Sequence, residues 1–486
     1  MRENTLNRFR DRSPQGVLPK FSRPIVWLLL FIFGNALSGL SNEIPNSNPK
    51  PDKTSGLGGK TLVLTLKEAV QIGLAEDGNT RIQLAAQYIK QAKAQTAIDR
   101  SYLLPNIDGS LTQQNRTTNL AAIGINFTLI PEAFRPPTFV GPFSTFDARV
   151  KANQMLFDFS TIRRFQASKV GQTEAGLQQD QTRNEMTAVI AIQYLSVLRA
   201  EASLQAARAN VALAEALWTL AKDQKAAGTG TGIELTRAEV QLASARQQLI
   251  EADLERRRTQ LQLLKTIGLP LDTTAEFSEQ LSFVPLTPKP LPDVIQTALT
   301  SRADLLAQEK KEEKLKLQYS AVKWERLPSF YGFGDYGSLG ESANSSLPTR
   351  AVGVLMNVPV FDGGRRDARR AETMTRLESE RIVSQDLRQQ IELEVRTSLD
   401  RLHSAEEQVK VAEESLQLAR AELEQAQRRY QAGVTSGLEV TDAQTRLERA
   451  RENRVITLFQ HNRAKIDLGQ AMGTIQTMVD TGGLIQ

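Results

Sequence analysis

The chain has 486 residues, 40% of them hydrophobic and 24% charged, a composition that is typical of a folded protein and excludes a disordered one. The formal net charge of +5 would suggest nucleic-acid binding if it were spread along the chain, but it is concentrated at the N-terminus. Residues 1–38 hold six basic and two acidic side chains, which leaves 54 basic and 53 acidic residues in the remainder. We therefore expect a nearly neutral mature protein with no nucleic-acid partner.

The N-terminal segment has the pattern of an export signal. Its basic residues are followed by an apolar run of about ten residues from Pro24 to Phe33, which is shorter than the ~20 residues of a membrane-spanning helix. Small residues follow at Ala36 and Ser38. The pattern predicts a signal peptide over residues 1–38, cleaved before Gly39, and a buried N-terminal helix is the alternative.

Residues 39–60 are rich in Pro, Asn, Gly and Ser, which predicts a flexible linker. The sequence contains no cysteine, so we expect neither disulfides nor the acylated cysteine of a lipoprotein. Anchoring in a membrane must therefore come from the fold.

A tandem duplication organises the rest of the chain. At an offset of 205, two series of bulky residues with a spacing of seven correspond, namely Ile190, Val197, Leu204, Val211 and Trp218 with Val395, Leu402, Val409, Leu416 and Leu423. Three residues after most of these, alanines recur in both halves, at Ala200, Ala207, Ala214 and Ala221 and at Ala405, Ala412, Ala419 and Ala426. These are the a and d positions of a coiled coil with closely packed helices.

The duplication sets the expected domain boundaries. We predict a first repeat over 61–270, an equatorial linker over 271–289, a second repeat over 290–475 and a tail over 476–486. Upstream in each repeat, Asn79 matches Asp304 at an offset of 225. Each repeat has the pattern of a helix, two strands, one very long helix, a tight glycine turn and another helix.

The long helices are free of proline. Residues 160–227 and 363–432 contain none, and at 1.5 Å per residue each segment would form a helix of roughly 100 Å. Helices of this length persist because several pack side by side. A filamentous or soluble coiled coil is the alternative.

Four segments have strand patterns, and we predict strands at about 106–114, 146–157, 329–339 and 351–361. In the second, Phe146, Ala148 and Val150 alternate with polar residues, and in the last the even positions are Val352, Val354, Met356, Val358 and Val360. Strands of ~9 to 11 residues with one apolar face suit a transmembrane barrel, and a small soluble sheet is the alternative.

Four strands cannot close a barrel, because the smallest bacterial examples have about eight and open edges in lipid leave unpaired backbone groups. We therefore expect a barrel that several chains share. Closure needs at least two chains, and the strand count alone does not choose between two and three.

The segment from Tyr430 to Ala443, Tyr-Gln-Ala-Gly-Val-Thr-Ser-Gly-Leu-Glu-Val-Thr-Asp-Ala, resembles a helical turn of the TolC-like outer membrane efflux proteins, and residues 227–238 echo it. The resemblance covers residues 61–475. It implies a mainly α fold with a membrane β-barrel, in which long antiparallel coiled-coil helices in two tandem repeats form an α-helical barrel. Each repeat would contribute two strands to a shared 12-stranded barrel of a homotrimer.

The resemblance also implies a function. It implies a passive channel from the periplasm to the exterior, within a tripartite efflux or type I secretion system. The partners would be a periplasmic adaptor, an inner-membrane transporter and outer-membrane lipid. We expect no enzymatic activity, no cofactor and no metal, since His403 and His461 stand alone and the G-x-G-x-x-G at 332–337 is followed by no helix.

The resemblance assigns roles at the two helical turns, which we place at about 228–233 and 433–437 with Gly228 and Gly433. It implies that Tyr430 tethers neighbouring helices in the closed state, and that three acids lie near the constricted entrance, Glu234, Glu439 and Asp442. Inward acids would attract cations, and the alternative is that they only start helices, where acids are favoured. Thr435, two residues after Gly433, stands where the best-known member of that family has a basic residue.

One other class of protein fits part of the pattern. A periplasmic adaptor protein also carries long helical hairpins and an export signal. It would have one hairpin flanked by lipoyl-like halves, whereas this sequence predicts two hairpins and two strand pairs.

Overall fold

The computed structural model describes residues 62–125, 131–134, 136–286 and 290–482, so the predicted signal peptide and the flexible linker lie outside the described residues. The described chain separates into two compact units. A sheet unit contains residues 107–152 and 334–352, and a helical unit contains the other described residues. Among the helices of the described ranges, none is both long and apolar enough to cross a membrane.

The helices belong to the helical unit. In chain order they are α1 (Leu66–Gly73), α2 (Thr80–Ser101), α3 (Phe159–Ala226), α4 (Gly232–Ile267), α5 (Leu291–Ser301), α6 (Ala303–Trp324), α7 (Arg365–Gln431), α8 (Gly437–Ala471) and α9 (Ile475–Asp480). The first residues of α4 and α8 are 205 positions apart, and those of α2 and α6 are 223 apart. The duplication is therefore present in the helices.

The heptad seams are buried as the pattern predicts. In the second repeat Val395 and Leu402 are at most 1% exposed, and the d-position alanines are all buried, namely Ala405, Ala412, Ala419 and Ala426. In the first repeat Ile190 and Val197 are fully buried, while Val211 and Trp218 are partly buried and pack around Ala214. Alanine at d lets α4 lie close to α3, and α8 close to α7.

One correspondence between the repeats differs from the sequence match. Asn79 caps the N-terminus of α2, and the residue in that place at the start of α6 is Arg302 and not Asp304. Asn79 Nδ2 donates to the carbonyl of Thr266 at 2.7 Å, and Arg302 Nη1 donates to that of Ala471 at 3.4 Å. The match to Asp304 was wrong because two unlike side chains perform the same task.

A short parallel pair of strands was not expected. Strand β1 (Leu62–Leu64) pairs with β4 (Ala275–Phe277), which lies inside the segment predicted as a linker. Tyr194 of α3 donates its hydroxyl to Leu64 O at 3.0 Å and packs edge-on against Phe277. Strands of three residues are too short to show a period, so the pattern could not reveal them.

The larger sheet has four strands, β2 (Asn106–Asn119), β3 (Phe139–Phe157), β5 (Ser329–Gly340) and β6 (Leu347–Asn357), in the order β2-β3-β5-β6. Strand β3 begins seven residues before the expected 146, because Gly141 and Pro142 interrupt the pattern there. Strand β6 ends four residues before the expected 361, so Val358 and Val360 follow the strand. The alternation of apolar residues in the sequence therefore continues beyond the last hydrogen-bonded residue of β6.

Contacts within the sheet show that its strands are antiparallel. Ser110 bonds to Arg149 and Gln113 to Ser144, so numbers rise along one strand as they fall along the next. On the polar face of β3, Arg149 contacts Asp147 at 3.3 Å and also contacts Asp335 of β5. This network compensates the charge of Arg149 across two strands.

Candidate functional site

The turn between α3 and α4 is closed by Gly228. Its φ of +76° lies in the left-handed region, where a residue without Cβ is favoured. The backbone N–H groups of Thr229 and Gly230 then donate to Gln224 O at 3.0 and 2.9 Å. The long helix therefore stops within one turn and α4 returns antiparallel to it.

A capping box starts α4. Glu234 Oε2 accepts hydrogen bonds from the backbone N of Thr231 at 2.9 Å and from its hydroxyl at 3.0 Å, and Thr231 Oγ1 accepts from Glu234 N. The hydrogen bond from the Thr231 amide is the main reason that the pKa of Glu234 lies below its usual 4.5, although burial opposes the shift. For this acid, the helix-start alternative describes the local geometry.

The same carboxylate reaches the second turn. Its other oxygen, Oε1, accepts from the backbone N–H of Gly437, the first residue of α8, at 3.2 Å. A Cβ at Gly437 would lie 3.4 Å from Glu234 Cγ, which is van der Waals contact, so the start of α8 lies directly against this side chain. Glu234 therefore connects the two hairpin turns of one chain.

The turn between α7 and α8 has the same backbone and different side chains. Gly433 has a φ of +70°, and Val434 N donates to Arg429 O at 3.0 Å. The N-cap residue Ser436 makes no side-chain cap. Instead Glu439 accepts from the hydroxyl of Thr435, and its Oε1 lies 3.3 Å from Arg429 Nη1.

Tyr430 is 9% exposed and lies in an apolar cluster that joins the hairpins. The cluster contains Val440 and Leu447 of α8, and Leu213 and Leu217 of α3 pack against it. Burial, with a smaller contribution from the charge of Glu234, raises the pKa of Tyr430. The tyrosine thus packs between helices of its own chain.

The structure brings Glu234 and Tyr430 together and leaves Glu439 and Asp442 apart from them. Glu234 and Tyr430 line the same small cavity between the hairpins, together with Gly437. Glu439 pairs with Arg429 instead. Asp442 is exposed.

Sequence reasoning missed several residues at this site. Thr231 could have been found, because Thr231-x-x-Glu234 has the spacing of a capping box. Nothing in the sequence indicates that Gly437 approaches Glu234, or that Gln241 of α4 donates to Glu448 of α8 at 3.2 Å. Those contacts join segments about 200 residues apart and depend on how the hairpins pack.

Two long helical hairpins with tight turns, combined with an antiparallel sheet, define the class of outer-membrane exit channels. The profile of the outer membrane efflux protein family matches residues 72–269 and 294–474, and the chain belongs to that family. It is an outer-membrane channel for efflux or secretion, with a periplasmic helical tunnel, and the adaptor alternative is not supported.

Individual relatives agree with this assignment. The pyoverdine export outer membrane protein OpmQ of Pseudomonas putida is 23% identical over 413 residues, which are 83% of this chain and 84% of OpmQ. The alkaline protease secretion protein AprF of Pseudomonas aeruginosa is 22% identical, covering 80% and 82%. The Campylobacter jejuni CmeC outer membrane channel has a TM-score of 0.73 at 19% identity, covering 84% and 86%, and shares the fold.

Proposed function

We propose that three copies of this chain form one passive duct across the outer membrane. The duct would receive its cargo from an inner-membrane transporter through a periplasmic adaptor. The observation that carries this proposal is the four-stranded sheet, in which β2 and β6 each have one neighbouring strand among the residues that the structure describes. Unpaired edge strands in lipid are costly, so other copies must cover these edges, and three copies would supply twelve strands.

Uncovered apolar stripes on the helices support the same assembly. On α4, Ile233, Val240, Leu254 and Leu261 are between 45% and 67% exposed and fall on positions that differ by multiples of seven. On α7, Val411 and Leu418 are each 65% exposed and are seven residues apart. Heptad stripes of this kind pack against another helix, and we assign that helix to a neighbouring copy.

Native mass spectrometry of the exported chain in detergent tests the assembly. We expect three times the mass of the mature chain. The double variant Val240→Asp with Leu254→Asp should weaken the trimer, because it places charges in the apolar stripe. Gln248→Asp with Gln262→Asp is the matched control, because both glutamines are exposed on α4 and lie off the stripe. Stable monomers of the parent protein would exclude the shared barrel.

The helical turns are the proposed docking site for the adaptor. They present exposed apolar side chains, with Val434 at 68% and Leu438 at 48%. OpmQ and AprF are named for export and for secretion, which supports a partner transporter for this chain as well. A photo-cross-linking residue at 434 should capture the adaptor encoded with this protein, and one at the exposed position 251 of α4 should not.

A further inference from the structure

Positive charge and aromatic side chains collect where the helical unit continues into the strands. We define the junction collar as residues 157–164, 323–326 and 361–370, which contain eight basic and four acidic side chains. Outside the collar, residues 39–486 hold 46 basic and 49 acidic side chains. The collar is therefore positively charged on a chain that is otherwise slightly negative.

Ion pairs hold the three segments of the collar together. Glu325 accepts from Arg164 of α3 and from Arg369 of α7, the latter at 3.1 Å, and Arg326 contacts Asp367. The end of α6 is thus joined to the starts of both long helices. The basic side chains of the collar form one patch, because the carboxylate of Glu325 contacts both Arg164 and Arg369.

The arginines at the start of α7 are not explained by helix stability. Arg365, Arg366, Arg369 and Arg370 all lie in the first two turns, where the helix dipole favours acids and disfavours cations. Asp362 offsets part of this cost through contacts with Arg365 at 3.9 Å and Arg366 at 3.2 Å. The side chain of Arg365 is still 72% exposed and that of Arg369 is 45% exposed.

Exposed apolar residues adjoin these cations. Between β6 and α7, Val360 is 91% exposed and Phe361 is 88% exposed. Val360 continues the even-numbered apolar series of Val354 and Met356, which are 67% and 55% exposed, and Phe361 follows it directly in the chain. An apolar stripe therefore runs to Phe361, and four residues later the arginines begin.

The other two segments repeat the combination of aromatic ring and cation. Trp324 stacks edge-on against Phe159, with ring centroids 5.3 Å apart. Lys323 lies 5.4 Å from the Trp324 ring centre, and Arg163 lies 5.1 Å from that of Phe159. Aromatic rings with neighbouring cations are typical of the boundary between acyl chains and headgroups.

We propose that the junction collar is a binding surface for anionic phospholipids of the leaflet that faces the periplasm. Val360 and Phe361 would insert at the level of the acyl chains. Arg365 and Arg369 would bind the headgroup phosphates, because the arginine guanidinium forms bidentate hydrogen bonds with phosphate. This inference rests on the proposed function, in which the strands next to the collar cross the outer membrane.

Tryptophan quenching by brominated lipids tests the proposal. The chain has three tryptophans, and Trp27 lies in the predicted signal peptide, so Trp218→Phe leaves Trp324, inside the collar, as the only reporter in the exported protein. The protein is reconstituted into phosphatidylcholine vesicles that contain a fixed fraction of either brominated phosphatidylglycerol or brominated phosphatidylcholine. We expect the anionic quencher to quench about twofold more, and 0.5 M NaCl to remove the difference.

Arg365→Gln with Arg369→Gln should abolish the preference. Arg376→Gln with Arg396→Gln should preserve it, because these exposed arginines of α7 lie outside the collar. Equal quenching by the two lipids in the parent protein would overturn the lipid preference and leave the channel proposal intact. No quenching by either lipid would show that the collar does not touch the bilayer, and would contradict the proposed membrane position of the strands.

Discussion

Glu234 Oε1 accepts a hydrogen bond from the backbone N–H of Gly437 at 3.2 Å, which links the first turn of α4 to the first turn of α8. The carboxylate uses its second oxygen for the capping box of its own helix. Glu234 thus caps α4 and also binds the start of α8. Any movement that separates the two hairpin turns, which we together call the tip, must break this contact.

Glu234→Ala should therefore loosen the tip. Loss of the capping box is expected to destabilise the start of α4 by ~1 kcal/mol, and the bond to Gly437 is lost as well. Hydrogen exchange should accelerate in residues 228–240 and also in 434–440. Glu251→Ala, a substitution of an exposed acid on the same helix, is the control. Faster exchange in the first turn alone would mean that the contact between turns is unimportant.

The same contact should depend on pH. The pKa of Glu234 is lowered in the folded protein, mainly by the Thr231 amide, so its stabilisation is complete above the unfolded value of 4.5. It is lost as the pH falls through the lower, folded pKa. Exchange in the two hairpin turns should rise as the pH falls below 4.5 in the parent relative to Glu234→Gln. A constant ratio between the two proteins from pH 7 to pH 3 would contradict this assignment.

Gly433→Val should disturb the second turn through its backbone. A Cβ there would meet nothing within 4 Å, so space is not limiting, but the φ of +70° strains a β-branched residue by ~1 to 2 kcal/mol or more. We expect reduced efflux and reduced cross-linking to the adaptor. Gly433→Asn should be tolerated, because asparagine adopts this conformation at a lower cost. Equal activity of the valine and asparagine variants would exclude a role for the left-handed turn.

We propose that Glu439 and Asp442 lie near the entrance of the channel and control its ion selectivity. Glu439→Gln with Asp442→Asn should reduce cation selectivity and block by multivalent cations, as measured from reversal potentials in planar bilayers. Arg429→Gln should shift selectivity in the opposite direction, because it frees Glu439 from its 3.3 Å partner. Unchanged reversal potentials in both proteins would leave these acids with only the role of starting α8.

Arg302 and Asn79 offer a test of the duplicated architecture. Arg302 contacts Asp304 at 2.7 Å and also Glu394, and its side chain is only 13% exposed. Arg302→Leu should cost about 2 kcal/mol, because it leaves the half-buried carboxylates of Asp304 and Glu394 without their cation. Asn79→Ala should cost ~1 kcal/mol through loss of the N-cap. Thermal melting of the two variants would give this order, and a smaller loss at Arg302 would contradict it.

The sequence alone determined the fold class, the family resemblance and the register of the long helices. It did so because the heptad pattern repeats over many turns, and because the duplication shows the same pattern twice. Buried residues such as Val395 and Leu402 were identified from spacing, since a helix of fixed period places them on one face. Strand positions were less accurate where Gly141 and Pro142 interrupt the alternation.

Only the tertiary structure decided which residues meet at the tip. Glu234, Tyr430 and Gly437 gather there because α3 packs against α8, a contact between segments about 200 residues apart for which the sequence holds no local pattern. The same is true of Arg429, which supplies a cation to Glu439 from the end of the preceding helix. Local periodicity specifies the helices, whereas side-chain partners across helices depend on packing that sequence spacing does not encode.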